Sequence, residues 1–249
     1  MKPFFSACSG FRVGKLSAMD DRSSMQALSR QSAPQFSPLL PAGVAAVEST
    51  TTVSDATLTV TERALIASAV PDRVREFATG RWCARQALSK LGIVGFSLLA
   101  DSSRAPIWPE GIVGSITHVN GFCAAAVGRT DEFAGIGIDV EHESAVTADL
   151  WPLLFTVEER AWLVQLADEQ RDRMAALLFS AKESFYKCQY QFRKQWLDFT
   201  SVRVTVEGDC WKVCPASSKS LDWIHDSFIG RFSFVNQRVY TSIVVRAAR

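Results

Sequence analysis

The segment Gly135-Ile136-Gly137-Ile138-Asp139-Val140-Glu141 restricts the possible folds more than any other stretch of this chain. Its strict alternation is a strand signature, with Ile136, Ile138 and Val140 on one face and Gly137, Asp139 and Glu141 on the other. Two residues of strand rise put the two carboxylates about 6–7 Å apart on the same side. Only glycine precedes them there, which leaves room for a ligand to approach the backbone. Neighbouring acids repel, and a sheet tolerates the pair poorly unless a cation neutralises it. An oxygen-only pair suits Mg²⁺, which takes one or two protein carboxylates and fills its shell with water and phosphate oxygens. Taken alone, the segment fits a solvated strand end with two ordinary surface acids slightly better.

A chain of 249 residues can hold one large domain or two small ones with a substantial core. A net charge of +1 gives no global field toward nucleic acid or membrane, so anion recognition must come from local clusters. No apolar run reaches the roughly 18–20 residues that span a bilayer. Met1–Arg12 has a lysine but only a brief, interrupted apolar stretch, which makes a poor secretory signal. The six cysteines form no dense framework and no metal-ligand spacing, and read as reduced thiols of a cytoplasmic protein.

Residues 1–50, rich in Ser, Gln, Ala and Pro without a sustained period, read as a flexible N-terminal extension, with Ser29–Pro41 its lead-in. Thr61–Ala69 reads as a short helix. A clear helix starts at Pro71-Asp72, carries Val74, Phe77, Ala78, Ala84, Leu88 and Leu91 at helical spacing, and stops at Gly92. Ser115–Thr117 and Cys123–Val127 read as strands around Asn120-Gly121, a type I′ hairpin signal, and the acidic strand follows as the third member of the same meander. Thr156 with Glu159 forms a capping box. A second long helix, Met174–Phe192, buries Met174, Leu178, Ala181, Phe185, Cys188 and Phe192 and aligns Phe179, Glu183 and Lys187 on another face. Strands over Val202–Val206, Trp211–Val213, Phe228–Phe234 and Val239–Val245 close the chain. The order of helix then hairpins occurs twice, an α+β pattern without a sequence repeat.

The second chemically suggestive stretch is Lys182-Glu183-Ser184-Phe185-Tyr186-Lys187. A glutamate one turn before a lysine is usually a surface ion pair. Beside the strand acids it gains weight, because a third acid could complete a metal site that also holds a phosphate chain. Gly137-Ile138-Asp139-Val140-Glu141 followed by Phe179-Ser180-Ala181-Lys182-Glu183-Ser184-Phe185-Tyr186-Lys187 resembles the Sfp-type 4′-phosphopantetheinyl transferases. Arg81-Trp82-Cys83-Ala84-Arg85, Arg104-Ala105-Pro106-Ile107-Trp108-Pro109 and Gly114-Ser115-Ile116-Thr117-His118 resemble the branch that serves bacterial siderophore synthetases. The likeness runs from about Arg73 to at least Trp196 and is specific because the motifs occur in order at compatible spacings.

The resemblance implies two similar subdomains, 51–140 and 141–249, each a helix on a small antiparallel sheet, related by pseudo-twofold symmetry. It implies transfer of the 4′-phosphopantetheine arm of coenzyme A to a serine of an acyl or peptidyl carrier protein, leaving 3′,5′-ADP. The carriers implied belong to siderophore, nonribosomal peptide, polyketide or fatty acid assembly. By position, Asp139, Glu141 and Glu183 would bind Mg²⁺, or Mn²⁺ in its place, together with the diphosphate. Glu183 would be the base, taking the serine proton directly or through a metal-bound water. Lys187 would meet the diphosphate, and Lys182 would support that site or the carrier contact. Thr117 and His118 would lie at the nucleotide end, with Arg73, Arg81 and Arg104 facing phosphates. A monomer without nucleic acid or membrane partners follows.

Each of these residues has an ordinary counterpart reading. His118 fits a hydrogen-bonded strand end, Arg75 and Arg85 a solvated helix face, and Trp82, Trp108 and Trp162 packing. His142 follows Glu141, but it falls on the opposite strand face and Mg²⁺ prefers oxygen. Two competing functions use the same residues: a coenzyme A–binding protein without transfer, and a hydrolase of nucleotide diphosphates. No nucleophile-elbow pattern supports a serine hydrolase.

Overall fold

The structure, a computed structural model, describes residues 33–216, 221, 223–224 and 228–248. The chain divides at Pro34, and the unit Gln35–Arg249 carries every element named below. The N-terminal segment through residue 32, with Met1–Arg12, Cys8 and the first part of the expected lead-in, lies outside the described residues.

The elements run β1 (Ala45–Ser49), α1 (Val60–Ala64), α2 (Pro71–Lys90), β2 (Ile112–Val119), β3 (Phe122–Arg129), β4 (Phe133–His142), α3 (Trp151–Leu154), α4 (Val157–Leu163), α5 (Asp168–Arg193), β5 (Val202–Glu207), β6 (Cys210–Pro215), β7 (Ile229–Val235) and β8 (Arg238–Arg246). The strands form two antiparallel sheets, ordered β1-β3-β2 and β4-β8-β7-β6-β5. Each carries one long helix. α2 lays Cys83, Ala84, Ala87 and Leu88 on β3, and α5 lays Leu178, Ala181, Phe185 and Cys188 over the larger sheet. This is the expected α+β arrangement of helix on antiparallel sheet, with halves unequal in strand number.

Local chemistry explains the helix limits. Pro71 sits at the first turn of α2, where its missing N–H costs nothing, and Gly92 beyond its end takes φ +83°. Asp168 and Glu169 open α5, Arg193 closes it, and Lys194 caps it in the left-handed region.

Several expectations are corrected. Residues 45–49, assigned to the flexible extension, form β1, which pairs with β3 from Ala45↔Val127 to Ser49↔Cys123. β4 is not the third strand of the β2–β3 meander. It pairs with β8 in the five-stranded sheet, with Asp139 opposite Thr241 and Glu141 opposite Val239. Of Asn120-Gly121 only Gly121 has positive φ (+73°), so that hairpin is not type I′, whereas Asn236 and Gln237 both adopt the left-handed region.

β2 nevertheless runs alongside β4, joined by side chains in place of a backbone ladder. Ser115 Oγ accepts the Ile138 N–H at 3.1 Å and Thr117 Oγ1 accepts the Val140 N–H at 3.1 Å. Gln191 reaches in from α5, accepting from Gly114 N–H (3.0 Å) and donating to the Ile136 carbonyl (2.6 Å). These bonds satisfy the β4 backbone groups that face β2.

Candidate functional site

Strand alternation puts Ile136, Ile138 and Val140 in the core with Tyr240 and Phe36, and turns Gly137, Asp139 and Glu141 toward α5. The open side expected at the glycines is filled by helix backbone. A Cβ at Gly137 would lie 1.8 Å from the Ser184 carbonyl oxygen, and one at Gly135 2.6 Å from that of Cys188. The glycines thus admit α5 rather than a ligand, and this close approach brings Glu183 and Lys187 to the strand acids.

Asp139 is buried, and its carboxylate accepts from Lys187 Nζ at 2.6 Å, Thr117 Oγ1 at 3.0 Å and Ser180 Oγ at 2.8 Å. Glu141 and Glu183 are each partly buried. Burial, the Asp139 charge and the Glu183 charge push the Glu141 carboxyl up to about 8 against the pull of Lys187. Burial and Asp139 push Glu183 up to about 7, again against Lys187. Burial disfavours the Lys187 charge, but Asp139 and Glu183 outweigh it and hold its pKa above the ordinary lysine range. The structure therefore unites Asp139, Glu141, Glu183 and Lys187 in one electrostatic group with more negative charge than one ammonium balances. Among the described residues no three His, Cys, Asp or Glu side chains are gathered at ligating distance. Lys187 supplies the cation beside Asp139. The donor set fits a hard divalent ion, since oxygen ligands whose charged form is disfavoured by burial and by a neighbouring carboxylate gain from one.

A second cluster lies at the start of α2. Arg73 Nη1 approaches His118 Nε2 (3.3 Å) and Glu76 Oε2 (3.3 Å), and His118 Nε2 lies 3.2 Å from Glu76. The hydrogen bond from His118, opposed by burial, holds Glu76 below the usual carboxylate range. Two turns on, Arg81 is 6% exposed with its guanidinium 4.2 Å over the Phe77 ring, and its Nε has no hydrogen-bond partner. Burial, relieved by Glu62 and reinforced by Arg73, drops its pKa to about 10. A buried guanidinium whose Nε lacks a partner is costly, and its fork geometry suits an anion.

Lys182 and Arg104 are held by other partners, and Thr117 lies within the acidic group. Lys182 does not join the acidic group: its Nζ donates to Glu159 Oε2 (2.6 Å), the Leu154 carbonyl (2.9 Å) and the Phe199 carbonyl (2.8 Å), with both side chains of the ion pair 1% exposed. Thr117 is buried, and its hydroxyl donates to the Asp139 carboxylate at 3.0 Å. Arg104 sits exposed at a tight turn with φ +65°, bonded through its N–H to the Asp101 carbonyl. Arg85, read as solvated, grips the buried Glu62 with Nη1 at 2.7 and 2.8 Å. Trp82, Trp108 and Trp162 pack against the cores as expected.

Sequence reasoning missed Gln191, Glu76 and the roles of Ser180 and of Glu159 as the partner of Lys182. Ser180 and Ser184 are one helical turn apart beside Glu183, a polar pair on an otherwise apolar face, and that spacing was the available signal.

Residues 61–128 match the 4′-phosphopantetheinyl transferase N-terminal domain, and residues 135–228 match the 4′-phosphopantetheinyl transferase superfamily. 4′-Phosphopantetheinyl transferase Npt of Nocardia iowensis is 37% identical over 169 residues, 68% of this chain and 75% of Npt. The chain belongs to the 4′-phosphopantetheinyl transferase family. 4′-Phosphopantetheinyl transferase Svp of Streptomyces mobaraensis is 43% identical over 59% of this chain and 61% of Svp, so the match spans less than two thirds of that relative. Enterobactin synthase component D of Salmonella typhi is 31% identical over 55% of this chain and 57% of its own. Among solved structures, a holo-(acyl-carrier-protein) synthase from Bacillus anthracis in complex with CoA (3′,5′-ADP) aligns with TM-score 0.36 at 17% identity, over 47% of this chain and 99% of the synthase. In this chain both acidic motifs, on β4 and α5, fall within the superfamily match at 135–228, and α2 with Arg73 and Arg81 falls within the N-terminal match.

Proposed function

We propose that this protein transfers the 4′-phosphopantetheine arm of coenzyme A to a serine of an apo acyl or peptidyl carrier protein and releases 3′,5′-ADP. The observation that carries the reading is the meeting of Asp139 and Glu141 on β4 with Glu183 and Lys187 on α5. Asp139, Glu141 and Glu183 would hold Mg²⁺, or Mn²⁺, together with the diphosphate; the ion supplies neutralisation of the phosphate oxygens.

The chain's own residues perform the rest. The carrier serine oxygen attacks the phosphorus that bears the pantetheine arm, and the P–O bond to 3′,5′-ADP breaks. Glu183 accepts the serine proton at a carboxylate oxygen. Lys187 turns from Asp139 to the leaving phosphate and offsets its charge. Arg81 and Arg73, with His118, receive the 3′-phosphate, which pairs the orphaned Arg81 and displaces Glu76. Lys182 and Thr117 take no part in ligand contact.

The relatives include an enterobactin synthase component, which supports carriers of siderophore or polyketide assembly as acceptors. Such carriers are acidic, and Arg193 and Lys194, exposed beyond Glu183 and Lys187 at the end of α5, offer them a basic contact. We assign the protein to the cytoplasm as a monomer; no helix of the described residues is long and apolar enough to cross a membrane. Incubation with coenzyme A, Mg²⁺ and an apo carrier tests the function by mass spectrometry. The carrier should gain one phosphopantetheinyl unit, and Glu183→Gln should gain none. No gain with any of several siderophore, polyketide and fatty acid carriers would overturn the reading.

A further inference from the structure

Behind Asp139 lies a line of hydroxyls that touches neither ligand position. Ser180 Oγ is 2.8 Å from Asp139 Oδ2, Thr241 Oγ1 is 2.9 Å from Ser180 Oγ, and Ser184 Oγ is 2.7 Å from Thr241 Oγ1. Ser180, Ser184 and Thr241 are fully buried, so water cannot take the place of a missing partner.

The proton directions follow from counting. An ionised carboxylate only accepts, so Ser180 spends its single proton on Asp139. Its oxygen can then only accept from Thr241, whose proton is shared with the Ser180 carbonyl at 3.0 Å. Thr241 in turn accepts from Ser184, which also lies 3.2 Å from the Thr241 carbonyl. Thr241 thus braces Ser180 at both its hydroxyl and its carbonyl, and a connected network of this kind strengthens its members. On the other oxygen, Thr117 spends its proton on Oδ1 while its own oxygen accepts the Val140 N–H. Asp139 is thus held from β2, α5 and β8 at once, in one orientation.

We propose that Thr241, with Ser180 and Ser184, is a positioning residue for the divalent ion: it fixes the Asp139 carboxylate through Ser180 while touching neither metal nor coenzyme A. This rests on the metal-dependent reading above. Lys187 occupies Oδ1 in this structure, so the collar leaves the carboxylate orientation unchanged when the lysine turns to phosphate. Partners of metal ligands typically set affinity within 10–100-fold.

The test is Mn²⁺ binding followed by the paramagnetic signal of free Mn²⁺, with the full chain in saturating coenzyme A. Thr241→Val, which keeps the shape and deletes the hydroxyl, should weaken Mn²⁺ about 10-fold or more. Thr241→Ser should restore it, and the carrier KM should stay constant at saturating metal. Because Thr241→Val leaves polar groups buried, Ser180→Ala serves as a second variant, and only proteins with the wild-type far-ultraviolet spectrum are compared. Equal Mn²⁺ affinity in wild type, Thr241→Val and Ser180→Ala would overturn the positioning role alone. Failure of the wild type to bind Mn²⁺ would overturn the metal site and this role with it.

Discussion

Replacing Lys182 with methionine separates a structural role from a substrate role within the Lys182-Glu183-Ser184-Phe185-Tyr186-Lys187 motif. The ammonium and its Glu159 partner are each 1% exposed, and the lysine also satisfies the carbonyls of Leu154 and Phe199. Glu159 is committed elsewhere as well. It closes the capping box of α4 through Thr156 N–H (2.8 Å) and accepts the Val204 N–H (2.7 Å), so it cannot turn toward water. Lys182→Met keeps most of the volume but strands a buried carboxylate, which costs about 3–5 kcal/mol. For a chain of this size that lowers the melting temperature by on the order of 10 °C. Urea unfolding measures the first figure and calorimetry the second. Below the melting range the coenzyme A KM should be unchanged. Glu159→Gln in the Lys182→Met background removes the stranded charge and should recover about 1–2 kcal/mol as a coupling term. A Lys182→Met protein as stable as wild type but with a 10-fold higher coenzyme A KM would refute this placement.

Other outcomes follow from the same geometry. Without metal, folded Glu141 and Glu183 keep protons to about pH 8 and 7, whereas their ordinary value is 4.5; the folded state binds more protons between those limits, so its melting temperature should fall as pH rises from about 5 to 8. Saturating Mg²⁺ should flatten that slope, as should Glu141→Gln with Glu183→Gln, and an unchanged slope in the double variant would sink the assignment. Gly137→Ala drives a Cβ into the Ser184 carbonyl and should cost about 3 kcal/mol or more in urea unfolding. Arg81→Met should leave stability unharmed, since its Nε is unpaired, yet raise the coenzyme A KM about 10–100-fold and leave that of 3′-dephospho-coenzyme A nearly unchanged; equal effects on both would move Arg81 away from the 3′-phosphate. Reversing Arg193 and Lys194 to glutamate should slow carrier modification and weaken its salt dependence, and unchanged carrier kinetics would remove them from that contact.

Much of the site was legible because its signals are local. Alternation in β4 fixed which residues face α5, and Thr156 with Glu159 announced the start of α4. Long-range pairing was not local. Nothing in Phe122–His142 distinguishes a third meander strand from one that leaves to join β8, because either choice buries Ile136, Ile138 and Val140. The β2–β4 seam depends on Ser115, Thr117 and Gln191 replacing a ladder, which sequence spacing does not encode. Lys182 illustrates the same limit. Its motif position favours the ligand, but its helical angle points it at Glu159, a partner visible only after α4 has packed on α5. The glycines were read correctly as a close approach and wrongly as to what approaches.

Titration of coenzyme A into the protein by calorimetry, with Mg²⁺ and with chelator, tests directly whether the acids of β4 and α5 act together through a cation. Wild type should bind more tightly with Mg²⁺, and Asp139→Asn and Glu183→Gln should each abolish that gain. Affinity indifferent to Mg²⁺ in the wild type, or a gain that survives both substitutions, would contradict it.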